Sequence, residues 1–119
     1  MGKPEGKVES YLIELAKTMG FECYKFTSPG NRGVPDRILI GHGYTFFVET
    51  KAENEEPRLS QKIVINTIIE RGGLVYVVDS KEQVLKLITA FVNKKPPKPK
   101  KQKIPNRADL TIKTGIKTT

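Results

Sequence analysis

Gly33-Val-Pro-Asp36, running into Arg37-Ile-Leu-Ile-Gly41 and then into Tyr44-Thr-Phe-Phe-Val-Glu-Thr-Lys51, is the stretch on which the reading of this chain turns. Two apolar runs flank Gly41-His-Gly43, a spacing that predicts a tight β-hairpin. Charged groups avoid buried strands unless something compensates them, yet here Asp36 opens one strand and Glu49 and Lys51 end the other. Side chains alternate along a strand, so Glu49 and Lys51 share one face and Thr50 points away. A carboxylate from each of two neighbouring strands makes an oxygen-rich site suited to Mg²⁺ or Mn²⁺. An ammonium beside it suits the attack of water on a phosphodiester.

Outward from the hairpin, Val8, Leu12, Leu15 and Met19 recur at helical spacing, which predicts a helix over 5–19 stopped by Gly20. A strand is expected over Phe21 to Thr27, carrying Cys23 as a small buried apolar residue. Ser28 to Gly33 reads as a turn-rich loop. Beyond the hairpin, 52–57 is a polar loop, and Leu59 to Arg71 is a helix ended by Gly72-Gly73. Leu74 to Val78 is almost wholly apolar, which predicts a central strand covered on both faces. Ser80-Lys-Glu-Gln83 is a capping box opening a last helix with Val84, Leu87, Ile88, Phe91 and Val92 on its apolar side. The order αβββαβα predicts an α/β domain whose mixed sheet is flanked by helices.

The chain of 119 residues carries a net charge of +8, distributed unevenly. Residues 1–93 hold twelve Lys/Arg and twelve Asp/Glu, whereas 94–119 hold nine Lys/Arg against Asp109 alone. A neutral domain at 1–93 with a basic, Pro/Lys-rich extension at 94–119 is therefore expected, the extension extended in conformation and suited to a polyanionic partner. A solubilising tail, a tail for a membrane surface or a docking peptide would carry the same composition. Residues 104–119 have too few apolar groups for a domain but could add a short strand. One cysteine excludes an internal disulfide framework and argues against a Cys-based zinc site. With no membrane-length apolar run and no signal-like N-terminus, the expected location is soluble and cytoplasmic.

The element order, with Pro35-Asp36 closing a loop and Glu49-Thr-Lys51 one strand later, resembles the PD-(D/E)xK nuclease superfamily and its restriction-endonuclease-like αβββαβ core. Gly33-Val-Pro-Asp36, Glu49-Thr-Lys51, Leu59-Ser-Gln61 and a helical Glu9, in that structural order, are similar to a stand-alone VRR-NUC (virus-type replication-repair nuclease) domain over about residues 5–93. The resemblance implies metal held by Asp36, Glu49 and the Thr50 carbonyl, with Glu9 adding a carboxylate through water or a second ion. It implies Lys51 near the attacking water and Gln61 positioning water or phosphate. It also implies a metal-dependent DNA endonuclease acting on branched or junction DNA as a Holliday-junction resolvase does, hence a two-fold homodimer, and a viral or bacterial source. The last helix and the tail are candidate interface elements.

Each residue has a plainer reading. Asp36 could cap its loop, Glu49 and Lys51 could form a solvated edge pair, and Glu9 shares its helix with Glu5 and Glu14. Together on adjacent strands, the first three favour a site. Arg32, Arg37, Lys25 and Lys62, with Lys98, Lys100 and Lys101 of the tail, are the candidate phosphate contacts. No base-reading helix or zinc finger is present in the sequence, so recognition of DNA shape is expected. A non-catalytic DNA-binding or assembly factor and an RNA-directed nuclease are the competing functions.

Overall fold

The computed structural model describes residues 4–104. Seven elements follow in order: α1 (Pro4–Thr18), β1 (Glu22–Lys25), β2 (Arg37–Gly41), β3 (Tyr44–Thr50), α2 (Leu59–Glu70), β4 (Val75–Val78) and α3 (Lys81–Val92). This is the predicted order, with β1 shorter than the run 21–27. The sheet order is β1-β2-β3-β4. β1 and β3 each pair antiparallel with β2, and β4 runs parallel to β3. The parallel pair requires a crossover, which α2 supplies.

Each helix stops by the same device. The residue after the helix lies in the left-handed region, and two successive amides return to the last turn. Phe21 N–H donates to the Ala16 carbonyl, Gly73 to Ile68 and Lys95 to Ala90. At α1 and α2 the left-handed position is Gly20 or Gly72. At α3 it is Lys94, at φ 61°, a conformation that strains an L-residue with a Cβ. At the start of α3, Ser80 Oγ accepts from Gln83 N–H at 3.1 Å. The Gln83 side chain accepts from Asp79 N–H (2.7 Å), one residue before the position a capping box uses.

Alternation along the strands divides the core. Leu39, Phe46, Val48, Tyr76 and Val78 face α1 and α3, where they meet Val8, Leu12, Ala16, Val84, Leu87, Ile88 and Phe91. Phe46 and Phe91 stack face to face with centroids 3.8 Å apart, and Tyr76 meets both rings edge-on. The apolar stripe of α3 is thus consumed by the chain's own core, leaving Leu85 exposed; burial here, rather than an interface, accounts for its pattern. The opposite sheet face carries α2, with Ile65 and Val75 buried. Tyr24 and Ile40 lie exposed on β1 and β2.

β4 corrects one expectation. Its all-apolar run suits a central strand, but it lies at the edge of the sheet. Its apolarity has another cause: α2 and α3 cover its two faces, and Val75, Tyr76 and Val78 are buried. Tyr76 hydroxyl donates to the Pro97 carbonyl at 2.7 Å, and burial pushes its pKa up to about 12. The tail expected beyond residue 93 therefore lies, over 94–104, without helix or strand but against the domain. Residues 105–119, including most of the stretch that could add a strand, lie outside the described residues. No described helix is long and apolar enough to cross a membrane.

Candidate active site

The C-terminal end of β3 lies between the first turns of α1 and α2, and the predicted constellation gathers there. Asp36, Glu49, Thr50, Lys51, Arg58 and Gln61 line a cavity of about 280 Å³ with Glu5, Glu55 and Glu56. An adjoining cavity of about 340 Å³ is lined by Glu5, Gly6, Glu9, Asp36 and Thr50. Asp36, Thr50 and Glu5 border both.

Gly33 explains how the loop carrying Asp36 reaches the start of α2. Its φ is +89°, and a Cβ there would lie 2.4 Å from the Ser60 carbonyl oxygen. Only a residue without a side chain lets the loop lie against the first turn of α2. Pro35 is buried two residues on, and Asp36 follows into the site.

Asp36 Oδ2 accepts from the Thr50 amide (3.0 Å) and the Thr50 hydroxyl (2.9 Å). Strand alternation puts Thr50 on the face opposite Glu49. Even so, it takes part in the site, because Asp36 sits at the strand end within reach of both faces. Glu49 is 2% exposed. Its Oε2 accepts from Gln61 Nε2 at 2.8 Å and lies 3.4 Å from Lys51 Nζ. Gln61 Oε1 accepts from the Arg58 amide at 2.8 Å, which fixes the side-chain amide with its NH₂ toward Glu49. One glutamine therefore caps α2 and orients the carboxylate.

Burial pushes the Glu49 pKa up to about 7, the negative charge of Asp36 adds to that rise, and Lys51 opposes it. Glu49 Oε1 is the one buried side-chain polar atom without a hydrogen-bond partner among the described residues. A buried acceptor left unpaired is costly, and an orphaned carboxylate oxygen beside a second carboxylate fits a cation. Among the described residues no three His, Cys, Asp or Glu side chains are gathered as a metal cage. Two carboxylates with open space suit Mg²⁺, which keeps several waters and is commonly held by one or two carboxylates plus substrate phosphate.

The other predicted residues fall at different places. Glu9 Oε2 is 3.0 Å from Arg37 Nε and borders only the second cavity, so Arg37 is engaged with Glu9. Arg32 and Lys25 are exposed, with no bond or ion pair among the described residues to those that line either cavity. Lys62 is one residue beyond Gln61 on α2 and lies 3.6 Å from Glu56. His42 is a turn residue at φ 53° whose ring bonds the Met19 carbonyl at 2.7 Å. Sequence reasoning did not select Glu5, Glu55, Glu56 or Arg58. Glu5 could have been found from helical spacing, since it lies four residues before Glu9 on the same face of α1; nothing in the pattern of the polar loop marks Glu55 or Glu56.

The mixed four-stranded sheet with its flanking helices is the restriction-endonuclease-like α/β fold. A solved structure described as a "VRR_NUC domain" superposes with a TM-score of 0.70 and 36% identity, covering 74% of this chain and 97% of that one. A curated relative, "Putative nuclease p44" of Acyrthosiphon pisum secondary endosymbiont phage 1, is 38% identical over 79 residues, which span 66% of this chain and 85% of the relative. No protein-family model matches. The chain belongs to the VRR-NUC family of nucleases.

Proposed function

We propose that this chain is a divalent-metal-dependent DNA endonuclease that hydrolyses phosphodiester bonds, selective for branched DNA in the manner of a Holliday-junction resolvase. The observation that carries the reading is the orphaned Glu49 Oε1, buried beside Asp36 and Lys51 at a cavity lined by carboxylates. Asp36, Glu49 and the Thr50 carbonyl would hold Mg²⁺ or Mn²⁺, which supplies a lowered pKa for a bound water and polarises a phosphoryl oxygen. Thr50 keeps Asp36 in place through two hydrogen bonds, and Gln61 does the same for Glu49. Lys51, buried and 3.4 Å from Glu49, presents its ammonium to the charge that develops on the phosphate. Glu5 and Glu9 border the α1 side of the site, where a further carboxylate would support a bound metal through water.

Symmetric incision of a junction takes two active sites, and this chain has one, so the acting form is a two-fold homodimer. Tyr24 and Ile40 offer exposed apolar surface for it. Lys25, Arg32, Lys62 and the tail lysines Lys98, Lys100 and Lys101 contact phosphates.

The test is a cleavage panel with Mg²⁺ and Mn²⁺ on four-way junction, flap, nicked duplex, plain duplex and single-stranded DNA, with RNA counterparts and EDTA controls. Metal-dependent cutting that Lys51→Ala abolishes, with paired nicks in the junction, is the expected result. Binding to every substrate without cutting by either metal refutes the nuclease in favour of a non-catalytic DNA-binding factor, and a requirement for the 2′-hydroxyl would move the substrate to RNA.

A further inference from the structure

The segment 94–104 is pinned to the domain at successive points. Lys94 Nζ bonds the His42 carbonyl and lies 5.6 Å from the centre of the Tyr44 ring. Tyr76 holds Pro97. Asn66 then grips residue 102 reciprocally: its Nδ2 donates to the Gln102 carbonyl (2.9 Å), and its Oδ1 accepts from the Gln102 amide (2.7 Å). In this way a side-chain amide makes both backbone bonds that a neighbouring strand would make. Lys101 Nζ meets Glu70 at 2.9 Å and Lys62 Nζ donates to the Lys103 carbonyl at 3.2 Å.

The anchoring positions Lys62, Asn66 and Glu70 recur every four residues, so they form one stripe along α2. The partners of residues 101, 102 and 103 run from Glu70 through Asn66 to Lys62. The segment thus travels antiparallel to α2, toward the end where Arg58 and Gln61 border the catalytic cavity.

Burial along the segment has a period of three. Pro96, Pro99 and Gln102 are half-buried, and every exposed position from 95 to 103 other than Pro97 is a lysine: Lys95, Lys98, Lys100, Lys101 and Lys103. Three residues per turn is the period of polyproline II, which carries its backbone extended at about 3.1 Å per residue. A segment whose role was only to cover α2 would need the inward residues but no uniform charge outward. Lys101 has Glu70 as a partner; the remainder of the row faces solvent on a domain that is otherwise neutral.

We propose that residues 94–104 form a phosphate rail: a docked, pre-ordered row of lysines that binds the backbone of a nucleic-acid arm as it leaves the catalytic cavity along α2. The proposal rests on the nuclease reading for its partner and adds where one arm of the substrate lies. Docking removes part of the ordering cost that a free basic tail would meet on binding.

The experiment measures binding of a fluorescent 30-bp duplex and a four-way junction by the full chain in EDTA, across a series of NaCl concentrations. Two variants are compared with wild type after a melt confirms folding. The triple variant Lys98→Gln/Lys100→Gln/Lys103→Gln keeps the Asn66 clamp but removes three charges. It is expected to make the slope of log K against log[salt] shallower by up to about 2.7, at roughly 0.9 for each phosphate no longer neutralised. Asn66→Ala keeps every charge but removes the clamp on residue 102 and so loosens the end of the segment nearest the cavity; it is expected to bind roughly three- to tenfold more weakly with its slope nearly retained.

A triple variant with wild-type affinity and slope overturns the rail. So does one that keeps DNA binding but loses wild-type binding to phosphatidylserine vesicles, which would assign the row to a membrane surface. Wild-type affinity in Asn66→Ala overturns the role of docking. Because binding is read without metal, these results stand whether or not the chain cuts; failure of the nuclease reading shows separately, as absence of cleavage by wild type with Mg²⁺ or Mn²⁺.

Discussion

Replacing Glu49 by glutamine tests the electrostatics of the site without any substrate. Burial first, and Asp36 second, raise the Glu49 pKa from 4.5 to about 7. The folded chain therefore holds this proton more tightly than the unfolded chain does. As pH rises through the window from 4.5 to about 7, the unfolded state releases the proton first, and the folded state loses stability relative to it. A gap of this size is worth about 3 kcal/mol at about 1.4 kcal/mol per pKa unit, most of it between pH 5 and pH 8. Glu49 is 2% exposed, so solvent screens little of it. A glutamine at this position would keep an acceptor for the Gln61 amide and carry no titrating group, although it would cost Lys51 its carboxylate partner. The comparison is accordingly a difference between pH values within each protein. In urea melts with EDTA, wild type is expected to lose roughly 2–3 kcal/mol more than Glu49→Gln on going from pH 5 to pH 8. Mg²⁺ is expected to shrink that difference by favouring the ionised carboxylate. Equal pH dependence in the two proteins would refute the reasoning, because Glu49 would then titrate alike in both states.

Gln61→Leu leaves Glu49 Oε2 without its amide donor and the Arg58 amide without its acceptor; urea melts at pH 7 should show a loss of about 1–3 kcal/mol, and cleavage should slow because Glu49 is no longer oriented. Gly33→Ala places a Cβ 2.4 Å from the Ser60 carbonyl at a φ of +89°; a loss of at least about 2 kcal/mol in the same melts is expected, and a near-neutral result would mean the loop does not lie against α2. Glu5 borders both cavities, whereas Glu9 is engaged with Arg37. Glu5→Gln should therefore weaken Mg²⁺-dependent cleavage roughly 10–100-fold, while Glu9→Gln should change stability by no more than about 1 kcal/mol and cleavage less; Mg²⁺ titrations of the cleavage rate on both variants would decide it.

What could be read from the residues follows the range of the interactions that produced it. Helix limits, the Gly41-His-Gly43 hairpin and the pairing of Asp36 with the end of β3 depend on neighbours close in the chain, and their signals were present in periodicity and turn chemistry. The edge position of β4 was hidden, since an apolar run records that a strand is covered and not which element covers it. Helical spacing put Glu5 on the same face as Glu9, but not which of the two borders both cavities; that comes from where the first turn of α1 meets the end of β3. The docked segment was the least legible. Lys-Lys-Pro-Pro-Lys-Pro-Lys-Lys has the composition of a solvated tail, and its order comes from Tyr76, Asn66 and Lys62, residues that the chain places far away in sequence. Asn66 makes the point most sharply. Within α2 it is a polar interruption of an isoleucine-rich helix with no local purpose, and its purpose is the backbone of residue 102. A polar residue that breaks an apolar helix without capping it is thus a signal worth following, because a side-chain amide drawn out of water must find partners somewhere, and here those partners lie 36 residues further along the chain.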